Sequence, residues 1–153
     1  MSAHGVVRKI AAGDYVGWRP LWVGYNAFYG REGESALPEQ ITRISWQRFL
    51  DAQEPMHALV AEDQGLLVGL AHYLFHRSTI RPELSCYLSD LYTLPTHRGR
   101  GIGRALIERV YAECRSAGVK GVYWQTHESN AAGRRLYDTL ARYDGFIVYD
   151  REL

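Results

Sequence analysis

The chain has 153 residues, of which 46% are hydrophobic and 23% charged, and a formal net charge of +1, the profile of one domain over residues 1–153 with room for a single core. A charge so near zero supplies no global field for nucleic acid or an anionic membrane, and apolar runs such as Gly65 to Leu70 fall far short of the roughly 20 residues that cross a bilayer. The opening MSAHGVVRKI has no long apolar stretch followed by a small-residue cleavage site, and Cys86 and Cys114 are too few for a disulfide framework or a Cys-rich zinc site. These features predict a cytoplasmic protein with both thiols reduced in the core, a bridge between them being the alternative.

Gly5 to Ile10 reads as a short strand. Asp14 is placed to cap a helix to about Tyr29, because Tyr15, Trp18, Trp22, Tyr25 and Tyr29 recur at helical steps, and Pro20 should kink that helix or divide it. The stretch GREGESALPE is polar and turn-like. Pro38 then suits the first turn of a second helix from about Glu39 to Ala52, with Ile41, Ile44, Phe49 and Leu50 on its apolar side.

From Met56 the period becomes that of strands, MHALVAED and LLVGLAHYLFHR, joined by a tight hairpin turn at Gln64-Gly65. A third strand covers roughly Leu84 to Leu94. Its alternation through Leu84, Cys86 and Leu88 slips phase before Leu91, with Ser89 and Asp90 at the slip. Either an extra residue makes a β-bulge and turns later side chains to the other face, or the strand ends at Leu88. Gly101 to Ala117 reads as a helix with Ile102, Leu106, Val110 and Cys114 on one stripe, stopped by Gly118. VKGVYWQTH is a strand, Ser129 or Asn130 caps a helix to about Leu140, and GFIVYD reads as the closing strand. The sum is an α+β domain with a mainly antiparallel sheet and one strand–loop–helix–strand crossover.

The most informative stretch is DLYTLPTHRGRGIGRALIERV, where a strand enters a loop with Gly99, Gly101 and Gly103 that opens directly into a helix. Glycines let main-chain N–H groups approach a ligand, and a helix start adds unpaired donors and the positive end of a dipole, which together suit a phosphate. Arg98, Arg100 and Arg104 surround the same bend. The competing reading is a Gly-rich turn with solvated arginines. No Lys follows these glycines, which excludes a P-loop, and their spacing does not fit the dinucleotide fingerprint.

Arg98-Gly99-Arg100-Gly101-Ile102-Gly103 resembles the Arg/Gln-x-x-Gly-x-Gly/Ala signature of the GNAT (N-acetyltransferase) superfamily, and Asn130 and Tyr137 in NAAGRRLYD resemble the Asn-x6-Tyr pattern of that family's next helix. The likeness spans Leu84 to Tyr149 and is closest to the branch of small amine, polyamine and protein-lysine acetyltransferases. It implies the acyl-CoA N-acyltransferase fold, a mostly antiparallel mixed sheet flanked by helices whose two splayed strands, Leu84–Leu94 and Val119–His127, hold acetyl-CoA. The resemblance assigns the pyrophosphate to main-chain amides from Arg98 to Arg104, that is Arg98, Gly99, Arg100, Gly101, Ile102, Gly103 and Arg104. It assigns the pantetheine to Leu91, Tyr92, Thr93 and Asn130. Leu91 N–H becomes the oxyanion donor and Tyr137 the general acid to the CoA sulfur. On the bare sequence, Tyr137 is equally an ordinary helix tyrosine and Asn130 only a helix cap. Arg134 reaches the phosphates or stays on a solvated face.

The polyamine enzymes of this branch carry Glu immediately before the Asp of the bulged strand, where this chain has Ser89, so polyamine specificity is not implied and the general base is open. The expected acceptor is a small amine or a protein lysine, in a homodimer with GFIVYD available to pair across its interface. The alternatives are a non-catalytic acetyl-CoA sensor and an acyltransferase for another acyl-CoA. The aromatic stripe Trp18, Trp22, Tyr25 and Tyr29 reads as core packing before it reads as an amine site, and Glu32 and Glu34 as solvated charges. His72 and His76 share a strand face without a third ligand, so no metal is expected.

Overall fold

The computed structural model describes residues 5–153; residues 1–4, part of the opening stretch read above, lie outside it. Five strands, β1 (Gly5–Lys9), β2 (Met56–Asp63), β3 (Leu66–His76), β4 (Ser85–Thr93) and β5 (Gly121–Tyr123), lie in the order β1-β2-β3-β4-β5. All neighbours are antiparallel except β4 and β5, which are parallel. A parallel pair needs a crossover, and α3 (Ile102–Ser116) supplies it. The other helices are α1 (Tyr15–Phe28), α2 (Glu39–Leu50) and α4 (Ala131–Tyr137).

Helices cover both faces of the sheet, so its central strands are apolar on both sides. Leu59, Ala61 and Ala71 join Leu106, Ile107 and Val110 of α3 on one face, while Val60 and Leu70 join Trp18, Leu21 and Trp22 of α1 and Trp46 of α2 on the other. Each fully buried aliphatic side chain here is worth about 1.5–3 kcal/mol. Gly69 on β3 sets the separation from α3, because a Cβ there would stand 3.1 Å from Ile102, Leu106 and the Tyr92 carbonyl. The start of α3 is thereby held close against the sheet at the end of β4.

The hairpin turn forms as expected, with φ of 49° at Gln64 and 79° at Gly65, the double left-handed conformation of a type I′ turn. Gly118 ends α3 at φ 72°. Several expectations are corrected. Asp14 precedes α1 but does not cap it with its side chain, which instead accepts from Ala11 N at 2.7 Å and pairs with Arg8 at 2.7 and 2.9 Å. Pro20 does not divide α1. It removes the donor that would meet the Val16 carbonyl, and Val16 is 83% exposed, so water can serve that oxygen. Of VKGVYWQTH only Gly121–Tyr123 pair as strand, and α4 ends at Tyr137 rather than Leu140.

The largest correction is GFIVYD, which forms no strand. Phe146, Ile147, Val148 and Tyr149 are 87%, 70%, 66% and 87% exposed. A β-prone run becomes a strand only where an edge takes its hydrogen bonds, and among the described residues this run pairs with none. Cys86 and Cys114 are both free and buried.

Candidate active site

The phase slip in the third strand is a β-bulge. His72 opposes Asp90 while Tyr73 opposes Leu88, which leaves Ser89 as the extra residue. Ser89 Oγ donates to the His72 carbonyl at 3.1 Å, and the Ser89 carbonyl accepts from Tyr25 Oη at 3.3 Å. These contacts fasten the bulge to β3 and α1. They also turn the Asp90 side chain toward the α1 face of the sheet, where His72 waits.

His72 is 1% exposed and sits between two partners: Trp18 Nε1 at 2.9 Å from its Nε2, and Asp90 Oδ2 at 2.8 Å from its Nδ1. An indole N–H can only donate, so Nε2 accepts, and the proton of the imidazole stands on Nδ1 and points at Asp90. Phe49 of α2 packs on the imidazole at 4.3 Å between centroids. No sequence pattern linked these residues, which are 54 and 18 positions apart; only the helix-on-sheet packing joins them. His76, on the same strand, meets Tyr123 Oη at 2.8 Å instead. Among the described residues there is no group of three or more His, Cys, Asp or Glu that could hold a metal ion.

Beyond the bulge the sheet opens. β5 pairs with β4 only at Ser85, Cys86 and Tyr87, so among the described residues Leu88 to Thr93 face no strand on that side. Leu91, Tyr92 and Thr93 oppose Ala71, Leu70 and Gly69 of β3, and their other edge borders the gap. Across the gap, past β5, Tyr137 packs edge-on to Trp124 at 5.5 Å. Burial first, and then the Tyr29 phenol, push its pKa above the usual 10.0. Tyr29 also lies 5.9 Å from the His127 ring, bridging the end of α1 to the loop after β5. A groove of about 540 Å³ beside this bridge is lined by Phe28, Tyr29, Thr126, His127, Asn130 and Arg135.

Asn130 acts as the cap of α4: its Oδ1 accepts from Gly133 N at 3.1 Å, and its Nδ2 donates to Thr126 Oγ1 at 2.9 Å. Arg134 donates to the Glu128 carbonyl at 3.0 Å and stands 5.5 Å over the Tyr143 ring. Trp18, Trp22 and Tyr25 are core residues, each at most 8% exposed, and only Tyr29 at the end of the stripe borders the groove.

The glycine bend begins one short turn after β4. Gly99 and Gly101 have φ of 75° and 81°, which only glycine adopts without strain. The first helical bond of α3 is Ala105 N to Gly101 O at 3.0 Å, and Gly101 provides no side-chain cap. As a result the N–H groups of Gly99, Arg100, Gly101, Ile102, Gly103 and Arg104 donate none of the protein's hydrogen bonds among the described residues. Six consecutive amides, named here in order, thus stand free around the positive end of a helix dipole, the arrangement that suits a diphosphate. Arg98 departs from the expectation: its main-chain N–H is engaged, donating to the Pro95 carbonyl at 3.4 Å, while its side chain lies 5.6 Å over the Tyr92 ring and donates through Nε to the Thr93 carbonyl at 3.0 Å. Arg104 donates to Thr139 Oγ1 at 2.7 Å, and Arg100 is exposed.

The model of the Acetyltransferase (GNAT) family matches residues 18–141, and the chain belongs to that family. It is 32% identical over 148 residues to the D-amino-acid N-acetyltransferase HPA3 of Saccharomyces cerevisiae, covering 95% of this chain and 89% of that protein. It is 33% identical over 96 residues to the thialysine N-epsilon-acetyltransferase of Mus musculus, 58% of this chain and 56% of that one. Among solved structures, the aminoglycoside N-acetyltransferase AAC(6')-Iy in complex with CoA superposes with a TM-score of 0.83 at 17% identity, covering 99% of this chain and 97% of that one. That last likeness speaks for the fold alone. The fold is therefore the GNAT fold, and the protein is an acetyl-CoA-dependent acyltransferase.

Proposed function

We propose that the chain transfers acetyl from acetyl-CoA directly to a primary amine, of a small molecule or a lysine side chain, within a ternary complex. The run of free amides from Gly99 to Arg104 carries this reading, because it supplies donors for the diphosphate at the mouth of a gap that starts where β5 leaves β4. The thioester then lies along Leu91, Tyr92 and Thr93, with the N–H of Leu91 as donor to the developing oxyanion. A single such donor contributes about 3 kcal/mol. Tyr137, protonated at neutral pH, gives its proton to the departing CoA sulfur as the amine nitrogen bonds to the acetyl carbon. Asn130 and Arg134 border the coenzyme from α4. Asp90 sits at the acceptor end, its orientation held by His72, and takes up the proton that the ammonium sheds, directly or through water. Mixing the protein with acetyl-CoA, amines and a free-thiol reagent tests the reading: thiol release that requires an amine supports it, and binding without release sinks it.

We further infer that the working form is a cytoplasmic homodimer. Both thiols are free and buried, as a reducing compartment allows. Among the described residues β5 has a partner on one side only, while the run from Phe146 to Tyr149 is apolar, β-prone and exposed. Each copy thus offers what the other lacks, and reciprocal addition of the tail to β5 closes with two-fold symmetry.

A further inference from the structure

We propose that the acceptor carries a carboxylate beside its amine, as an α-amino acid does, and that Arg31 holds the carboxylate while Asp90 receives the ammonium. This rests on the amine-acetylation reading above and narrows it.

The segment after α1 turns back at Gly30, where φ is 79°, and lays Arg31 over the end of the aromatic stripe. Its guanidinium carbon stands 5.6 Å from the Tyr29 ring centre and 6.0 Å from that of Tyr25. Asn26 fixes the guanidinium from below. It is 3% exposed, its Nδ2 donates to the Trp22 carbonyl at 2.8 Å, and its Oδ1 accepts from Arg31 Nε at 2.6 Å. A buried amide has therefore been spent on aiming one cation. Arg31 enters none of the ion pairs among the described residues, and its two η nitrogens remain as a planar fork suited to a carboxylate.

Asp90 faces the same two phenols. Among the described residues His72 Nδ1 at 2.8 Å and Ser89 Oγ at 3.4 Å both bond Oδ2, and 18% of the Asp90 side chain is open to solvent. Burial raises the pKa of Tyr25 and of Tyr29, the Asp90 charge raises both further, and Arg31 lowers both. Arg31 stands over the Tyr25 and Tyr29 rings, and the Tyr25 phenol bonds the carbonyl of Ser89, the residue before Asp90, at 3.3 Å, so the two opposite charges share one aromatic floor next to the groove that Tyr29 borders. A ligand matched to that pattern has an ammonium and a carboxylate a few bonds apart. A polyamine would set its second cation against Arg31, and a simple amine would leave the fork unanswered.

The test is a matched pair of acceptors, phenylalanine and phenethylamine, which share an aryl side chain and differ in the carboxylate. Thiol release is followed with wild type and the Arg31→Gln and Arg31→Lys variants. The expected result is a kcat/KM for phenylalanine at least about tenfold above that for phenethylamine, the scale of one charge-assisted pair. Arg31→Gln should raise KM for phenylalanine by a similar factor while changing phenethylamine less than about threefold, and Arg31→Lys should recover part of the loss. Equal losses for both acceptors, no loss for either, or a wild type that prefers phenethylamine would overturn the clamp while leaving acetyl transfer standing. Absence of thiol release with every amine would overturn acetyl transfer, and the clamp with it.

Discussion

Trp18 Nε1 lies 2.9 Å from His72 Nε2, and this one contact decides which imidazole nitrogen carries the proton that faces Asp90. The helix that covers the sheet thus sets the hydrogen-bonding state of a side chain on β3, which in turn orients the carboxylate at the bulge. Trp18→Phe should cost about 1–3 kcal/mol in urea unfolding, because it strands a buried acceptor. Trp22 is the internal control. Its own N–H is buried without a partner among the described residues, so Trp22→Phe loses packing volume but no hydrogen bond seen there, and should cost less.

Tyr137→Phe should lower kcat by about 10²-fold, the range of general acid catalysis, with acetyl-CoA affinity by calorimetry changed less than about threefold. Burial holds the phenol above its usual 10.0, so the acid form persists as pH rises to about 9.5. No alkaline loss of turnover below that pH should be traceable to this group. A wild-type descending limb near pH 8 that disappears in Tyr137→Phe would contradict the assignment.

Gly101→Val forces a β-branched side chain into φ 81°, a conformation that costs about 1–3 kcal/mol for such residues. The expected outcome is at least about a tenfold weaker acetyl-CoA affinity, since a relaxed backbone no longer aims its amides together. Unchanged affinity would dissociate the bend from the coenzyme.

Acid should loosen the junction of α1 with α2. Hydrogen bonds from Arg19 first, and then Tyr15, hold the Glu39 carboxyl at about 2, below its usual 4.5. A depressed pKa means that this contribution is fully present above pH 4.5 and is lost as pH falls toward 2. Calorimetric Tm values should therefore show a gap between wild type and Glu39→Gln at pH 7 that narrows by pH 3. A gap that widens on acidification would reverse the sign and refute the link.

The tail gives a prediction about mass. Light scattering should find two copies per particle in the intact protein. The double substitution Phe146→Asp, Val148→Asp should yield single copies without loss of helical circular dichroism, because both side chains are exposed. A wild type that is monomeric at high micromolar concentration would remove the homodimer reading.

Much of this was legible in the sequence wherever a local rule applied. The slip between Leu88 and Leu91 left a bulge and an early strand end as alternatives, of which the bulge forms, while Gln64-Gly65 announced the hairpin and the glycines from Gly99 to Gly103 the bend. Contacts made by folding were not legible. Nothing near Trp18 points to His72, and nothing in the polar stretch after Tyr29 singles out Arg31 as the cation that Asn26 aims. GFIVYD misled for a related reason: its composition states a preference for pairing but not whether an edge is available to it. Asn130 was readable both ways, and its amide is engaged as a cap.

The amides from Gly99 to Arg104 have a consequence for how this protein can change over time. Main-chain nitrogen is common to every residue except proline, so no ordinary replacement of a side chain deletes the groups in question. Drift among the neighbouring arginines can tune the grip, whereas the left-handed bends at Gly99 and Gly101 leave little latitude. If these amides hold the coenzyme as proposed, selection on its use falls on backbone shape, and a lineage could alter its acceptor freely while that curve stays fixed.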